Sequence, residues 1–180
     1  MNNNFFVLQR FLQDEGIDCH LFILPYEPEH FKPENDTWNE KELTHYTFLS
    51  WGDFDTFKKS VKEVVKNELQ EYSHFIVCGT APAFLALCDI KVDIFIPYGS
   101  DLYDLPFKTP KNPFKLLQRL KFNFYQKKGI REAKTCSFAD IAPEFINALQ
   151  RIGFTGEHIK AGVPLVYPSK NELDVKSNYL

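Results

Sequence analysis

Short apolar runs alternate along the chain with stripes of helical period, and that alternation predicts a layered α/β fold. Phe5, Leu8, Phe11 and Leu12 recur at helical spacing. Asn3 or Asn4 can cap the start of that helix and Gly16 can end it. Residues 19–24 form an apolar run stopped by Pro25, which reads as a buried strand. Residues 27–42 are polar with two prolines and read as a long surface loop. Residues 44–51 are rich in Thr, Tyr, Phe and Trp and read as a strand. Asp53 stands where it could cap a helix to about Gln70, with Phe57, Val61, Val64, Val65 and Leu69 on one face.

The second half repeats the alternation. Residues 74–78 and 92–96 are apolar strands. Between them, Gly79-Thr80-Ala81-Pro82 is a turn that opens a short helix, 83–88, with Thr80 at the cap and Pro82 in the first turn. Pro97-Tyr98-Gly99-Ser100-Asp101 follows the next strand, and a proline-rich loop covers 104–113. A basic helix runs to about Lys134, then a short strand at 135–137, then a helix at 142–152 stopped by Gly153. Residues 163–167 are the last apolar run before a polar tail. The strands are apolar throughout rather than alternating, as in a parallel sheet covered on both faces. The expected architecture is an open, doubly wound, Rossmann-like and mostly parallel sheet. Such sheets bind ligands outside the carboxyl ends of their strands.

Composition narrows the class. A chain of 180 residues, 44% hydrophobic, can bury one full core. We place one domain at 1–168 and a hinge or tail at 169–180. A net charge of −3 argues against a general polyanion binder, and no DNA- or RNA-binding motif is present. Cys19, Cys78, Cys88 and Cys136 show no CxxC and no Cys/His ligand spacing, so they read as buried thiols in a reducing compartment. The five histidines show no metal-binding pairing, no metal site is expected, and no phosphate-loop motif occurs. His20 and His74 read as core or edge residues of strands. The start is polar and uncharged without a long apolar stretch after it, so no signal peptide is expected. No run reaches the ~20 apolar residues that span a bilayer. The expected location is the cytoplasm, with peripheral placement on the inner membrane face left open.

Three segments are candidates for chemistry. Gly99, Ser100 and Asp101 sit just past a strand, where glycine lets a ligand approach the backbone and Ser and Asp can bond sugar hydroxyls. An ordinary turn is the other reading, because all three residues are turn formers. Gly79 and Thr80 occupy the previous strand end, where a helix start with a hydroxyl suits an anionic or hydroxylated ligand. Simple capping is the alternative there. The stretch 108–134 carries Lys108, Lys111, Lys115, Arg119, Lys121, Lys127, Lys128, Arg131 and Lys134 against one acid, Glu132. Its helix could meet anionic lipid or phosphate, with Arg119, Lys121, Lys127 and Lys128 as contacts. The alternative is a solvated outer face, with Phe114, Leu117, Leu120 and Phe124 packed inward on the sheet.

The order of these pieces resembles the glycosyltransferase family 4-like N-terminal domain, the acceptor-side half of GT-B glycosyltransferases. The helix ending at Gly16, followed by Ile17-Asp18-Cys19-His20-Leu21-Phe22, resembles the opening of that family. Ile76-Val77-Cys78-Gly79-Thr80-Ala81-Pro82-Ala83 resembles a strand and glycine turn of that family. Ile96-Pro97-Tyr98-Gly99-Ser100-Asp101-Leu102 resembles its His-Gly-Ser-Asp-Leu loop, with Tyr98 in place of the histidine. Gly129-Ile130-Arg131-Glu132-Ala133-Lys134 resembles the segment before the next strand. The resemblance covers most of the chain and is best over 76–102.

That resemblance implies one half of a GT-B architecture, with Gly79, Thr80, Gly99, Ser100 and Asp101 lining the acceptor side of an interdomain cleft. It implies a glycan or lipid-linked acceptor, a nucleotide-sugar donor held by a separate domain, and no cofactor bound here. The chain alone would then be inactive. The alternative function is a non-catalytic acceptor-binding or membrane-docking subunit that pairs with a donor-domain chain. The family's first, central strand and its glycine-rich loop have no counterpart here, because the first helix begins almost at Met1.

Overall fold

The computed structural model describes residues 4–26, 46–110, 113–138 and 143–161. The loop expected at 27–42, the apolar run at 163–167 and the tail at 169–180 lie outside the described residues. The described residues fall into two compact units. One holds 4–23 and 46–49; the other holds 24–26 and the residues from 50 onward.

The first unit contains α1 (Asn4–Asp14), β1 (Leu21–Ile23) and β2 (Tyr46–Phe48). The strands are parallel, with Leu21 opposite Tyr46 and Ile23 opposite Phe48. Helix α1 ends as its sequence predicts. Gly16 adopts a φ of 74°, and the N–H groups of Gly16 and Ile17 return to the carbonyls of Gln13 and Leu12 at 2.9 Å. This left-handed cap satisfies two end carbonyls. The burial differs by one position from the expected stripe. Phe6 and Val7 are buried, while Phe5, Leu8, Phe11 and Leu12 are half-buried. His20 lies beside β1 and its Nε2 is 2.8 Å from the Thr47 hydroxyl.

The second unit is a four-stranded parallel sheet in the order β3-β4-β5-β6, formed by Ile76–Val77, Ile94–Phe95, Thr135–Ser137 and Glu157–Ile159. Parallel neighbours need a crossover, and helices supply it. α3 (Ala81–Leu87) joins β3 to β4, α4 (Ser100–Tyr103) and α5 (Leu116–Arg131) lie between β4 and β5, and α6 (Pro143–Ile152) joins β5 to β6. The register aligns Val77, Phe95, Cys136 and His158 across the sheet. Phe95 and Cys136 have no exposed surface. The core is aromatic: Phe57 meets the rings of Phe84 and Phe122 edge-on, each at 5.1 Å. Trp51 lies against Phe84 at 5.2 Å and donates its indole N–H to Glu68. The fold is thus α/β with two parallel sheets, compatible with a Rossmann-like arrangement.

Several local expectations are corrected. Asp53 caps a turn and not a helix: its Oδ1 accepts the Thr56 N–H at 2.7 Å, and α2 spans only Val61–Leu69. Val61, Val65 and Leu69 form its buried face, but Val64 is exposed. Thr80 stands at the N-cap of α3 without capping it through its side chain. β6 lies in a stretch that the apolar pattern left unassigned. The largest correction concerns α5, which packs through Phe122, Asn123, Gln126, Gly129 and Ile130. Phe114, Leu117, Leu120 and Phe124, the stripe that the inward-packing reading placed on the sheet, are all exposed. Among the described residues no helix is long and apolar enough to cross a membrane.

Candidate functional site

The parallel order of β3 and β4 brings their carboxyl ends to one edge of the sheet, and both candidate turns open there. Each bends on a glycine held at positive φ, 59° for Gly79 and 124° for Gly99. A side chain at Gly79 would also meet the Tyr26 hydroxyl 2.9 Å from its Cβ. These conformations and that close approach call for glycine.

Asp101 ties the two turns together. Its Oδ2 accepts the Gly79 N–H, and its Oδ1 accepts the N–H groups of Tyr98 and Gly99, each at 2.9 Å. The residue is 5% exposed, so its carboxyl points into the protein and behind the turns. Burial pushes this carboxyl up to about 6, against the pull of the three N–H groups toward the ionised form. Asp101 is therefore a positioning residue that holds the backbone of both turns.

Gln126 of α5 completes the arrangement, and nothing in its sequence context singled it out. It is fully buried. Its Nε2 donates to the Gly79 carbonyl at 2.8 Å and the Asp101 carbonyl at 3.4 Å, while its Oε1 accepts the Ala83 N–H at 3.1 Å. One side chain thus serves both turns and the first turn of α3. The helix comes close enough to do so because residue 129 is glycine. A Cβ there would stand 2.2 Å from the Pro82 carbonyl oxygen.

Thr80 is also turned inward. Its hydroxyl donates to the Gly52 carbonyl, which leaves the Tyr26 hydroxyl, 2.8 Å away, to donate to Thr80 Oγ1. Tyr26 in turn accepts the Thr80 N–H at 3.3 Å. The outward groups at this edge are the Ser100 side chain and the rings of Tyr26, Tyr98 and Tyr103, about two-fifths to one-half exposed. Tyr103 leans on Phe145 at 6.0 Å between centroids. Of the five residues expected to line an acceptor site, Ser100 is the one with an exposed side chain. Asp101 and Thr80 brace the turns from within. Tyr26 and Tyr103 were not singled out by the sequence, since isolated tyrosines carry no spacing signal.

The basic candidates are spread over α5 and do not converge on these turns. Lys121 is exposed, with its ammonium 6.0 Å from the Phe57 ring centroid. Lys127 lies over the Phe107 ring at 4.5 Å, and Lys128 is 3.5 Å from Asp89. Arg119 stacks on Phe54 at 4.1 Å, and its buried Nε and Nη1 make no hydrogen bond. No His/Cys/Asp/Glu group suited to a metal occurs among the described residues. Two thiols are kept protonated by their environment: burial raises Cys88 to about 11, and burial with the nearby Asp101 charge raises Cys136 to about 12.

The edge is thus that of a parallel α/β sheet with two braced glycine turns, a class defined by geometry and shared by many activities. No protein-family model matches the chain, and no curated protein matches it.

Proposed function

We propose that this chain is the acceptor-side domain of a two-domain glycosyltransferase. It would serve transfer of a sugar from a nucleotide-sugar to a glycan or lipid-linked acceptor, and only when joined to a donor-binding domain. The observation that carries this reading is the pair of glycine turns at the carboxyl ends of β3 and β4, braced by Asp101 and rimmed by tyrosines. Tyrosine rings offer an apolar face for a sugar ring and a hydroxyl for its polar edge. Ser100 can both donate to and accept from a sugar hydroxyl. Asp101 and Gln126 would act by holding the turns at fixed spacing, and fixed placement of reactants is a large part of what a transferase cleft contributes.

The parallel order β3-β4-β5-β6 adds support, because it sets both turns at the sheet edge where doubly wound folds take their ligands. On this reading the domain works in the cytoplasm, where nucleotide-sugars are made, and the donor domain is either part of a longer chain or a separate subunit.

The reading is tested by amide-detected NMR titration of the chain with oligosaccharides and with polyprenyl-phosphate-linked sugars. The expected result is saturable shifts at the Gly79, Thr80, Gly99 and Ser100 amides, with no turnover of any nucleotide-sugar. Turnover by the isolated chain, or sugar binding that maps to another part of the molecule, would overturn it.

A further inference from the structure

Helix α5 and the turn just before it expose four large apolar side chains. Phe114 is 95% exposed, Leu117 82%, Leu120 54% and Phe124 59%. They recur three or four residues apart and so form one continuous stripe. The helix is already anchored on its opposite side by Phe122, Gln126 and Ile130, so the stripe is not needed to hold it. Lys121 falls within the same outward face, and Lys128 and Arg131 prolong it toward the carboxyl end of the helix. Between Asp104 and Glu132 the chain has eight Lys and Arg residues and no acid, although its net charge is −3. Five of these cations, Arg119, Lys121, Lys127, Lys128 and Arg131, share α5 with the exposed Leu117, Leu120 and Phe124.

We propose that this face docks the protein on an anionic lipid bilayer. An interfacial helix puts leucine and phenylalanine into the boundary between headgroups and acyl chains while lysines meet lipid phosphates at the same depth. The stripe and its cations match both requirements. A second copy of the chain fits less well, because self-apposition would set lysines against lysines. Nucleic acid would match the charge and leave Leu117 and Leu120 without an apolar seat. Four cations of the region are paired within the protein, Lys108 with Asp104 at 3.9 Å, Lys115 with Asp55 at 2.6 Å, Lys128 with Asp89 at 3.5 Å and Arg131 with Glu132 at 3.2 Å. Lys121 is left as the chief lipid contact of the stripe. The proposal does not rest on the glycosyltransferase reading.

Vesicle flotation tests it. The full chain should float with vesicles rich in phosphatidylglycerol, remain behind with pure phosphatidylcholine, and be released by salt. Lys121→Gln should weaken binding about fivefold, the effect of one cation near a charged surface. Leu117→Gln with Phe124→Gln should weaken it on the order of tenfold or more with unchanged melting. Leu117→Trp should shift its emission to the blue when vesicles are added. No binding to anionic vesicles, equal binding to neutral ones, or indifference to the stripe substitutions would each overturn the proposal. A dimer that the stripe substitutions dissolve, without vesicle binding, would assign the face to a second copy instead.

Discussion

The two long faces of α5 differ in a way that separates holding a fold from presenting a surface. The face against α3 carries Asn123, Gln126 and Gly129 beside Phe122 and Ile130. The face against solvent carries Leu117, Leu120 and Phe124. Hydrophobicity alone does not choose between the two faces, because Phe122 and Ile130 on one side offset Leu117, Leu120 and Phe124 on the other. The polar inward face is held by Gln126, paired through both its atoms, and by the Asn123 amide nitrogen, while Asn123 Oδ1 is buried without a partner. Gln126 meets the Gly79 carbonyl and the Ala83 N–H, and Asn123 donates to the Lys108 carbonyl at 2.9 Å. Glycine at 129 lets α5 lie directly against the backbone at Pro82. Gln126 is satisfied through both its atoms, which is the condition for a buried polar group to stabilise a fold, so this part of the inward face is specified by the two turns that it serves. No such demand shapes the outward face within the described residues.

The strongest way to break this contrast is to remove the brace behind the turns. Asp101→Ala leaves three buried N–H groups without an acceptor, at about 1–3 kcal/mol each. We expect a loss of about 3 kcal/mol or more in a denaturant titration. Wild-type stability would show that the turns hold themselves. Gln126→Leu comes next. It is close in volume but strands the Gly79 carbonyl and the Ala83 N–H, for about 2–4 kcal/mol by the same reckoning. A neutral result in denaturant would mean that the inward face wants only bulk.

Asp101 also gives the contrast a pH signature. Its carboxyl is raised to about 6 in the folded chain, above the ordinary value of about 3.9. Between those values the folded chain keeps a proton that the unfolded chain has released. Stability therefore falls as pH rises from about 4 to about 6 and then levels, by up to about 3 kcal/mol. Asp55 and Asp89 act in the opposite sense. Hydrogen bonds from Lys115 and from Lys62 hold their carboxyls below the ordinary value, so what they contribute is lost as pH falls. The difference between wild type and Asp101→Asn across pH 4–6 isolates the buried group. A flat difference would show that Asp101 folds in its ionised form.

Much of this architecture was legible in the sequence where one signal decided the structure. β5 lies at 135–137 as expected, and α6 stops at Gly153, which adopts a φ of 76°. Apolar runs located β3 and β4 because those strands are enclosed. β6 escaped because Glu157 and His158 break the apolar pattern, as an exposed edge strand allows. Asp53 misled because an aspartate that caps a turn and one that caps a helix look alike in sequence. For the site, glycine and strand context pointed to both turns. Burial of Asp101 and the part played by Gln126 depend on contacts across 22 and 47 residues of chain, which no local pattern reports. Amphipathic period finds a helix but cannot say which face is covered.

The smallest expected effect tests the outward face alone. Leu117→Ser with Phe124→Ser removes apolar groups that are more than half exposed. Surface substitutions away from buried features change stability by no more than about 0.5 kcal/mol. Phe122→Ala, one helical face away and with no exposed surface, should cost about 3–5 kcal/mol. Thermal melting of the two variants beside wild type measures the contrast directly. If the double serine variant melts well below wild type, the stripe is covered by the protein itself and is not available to a bilayer. If it melts as wild type does, the apolar stripe contributes nothing to holding the fold, and its value to the protein has to be sought in what α5 meets outside.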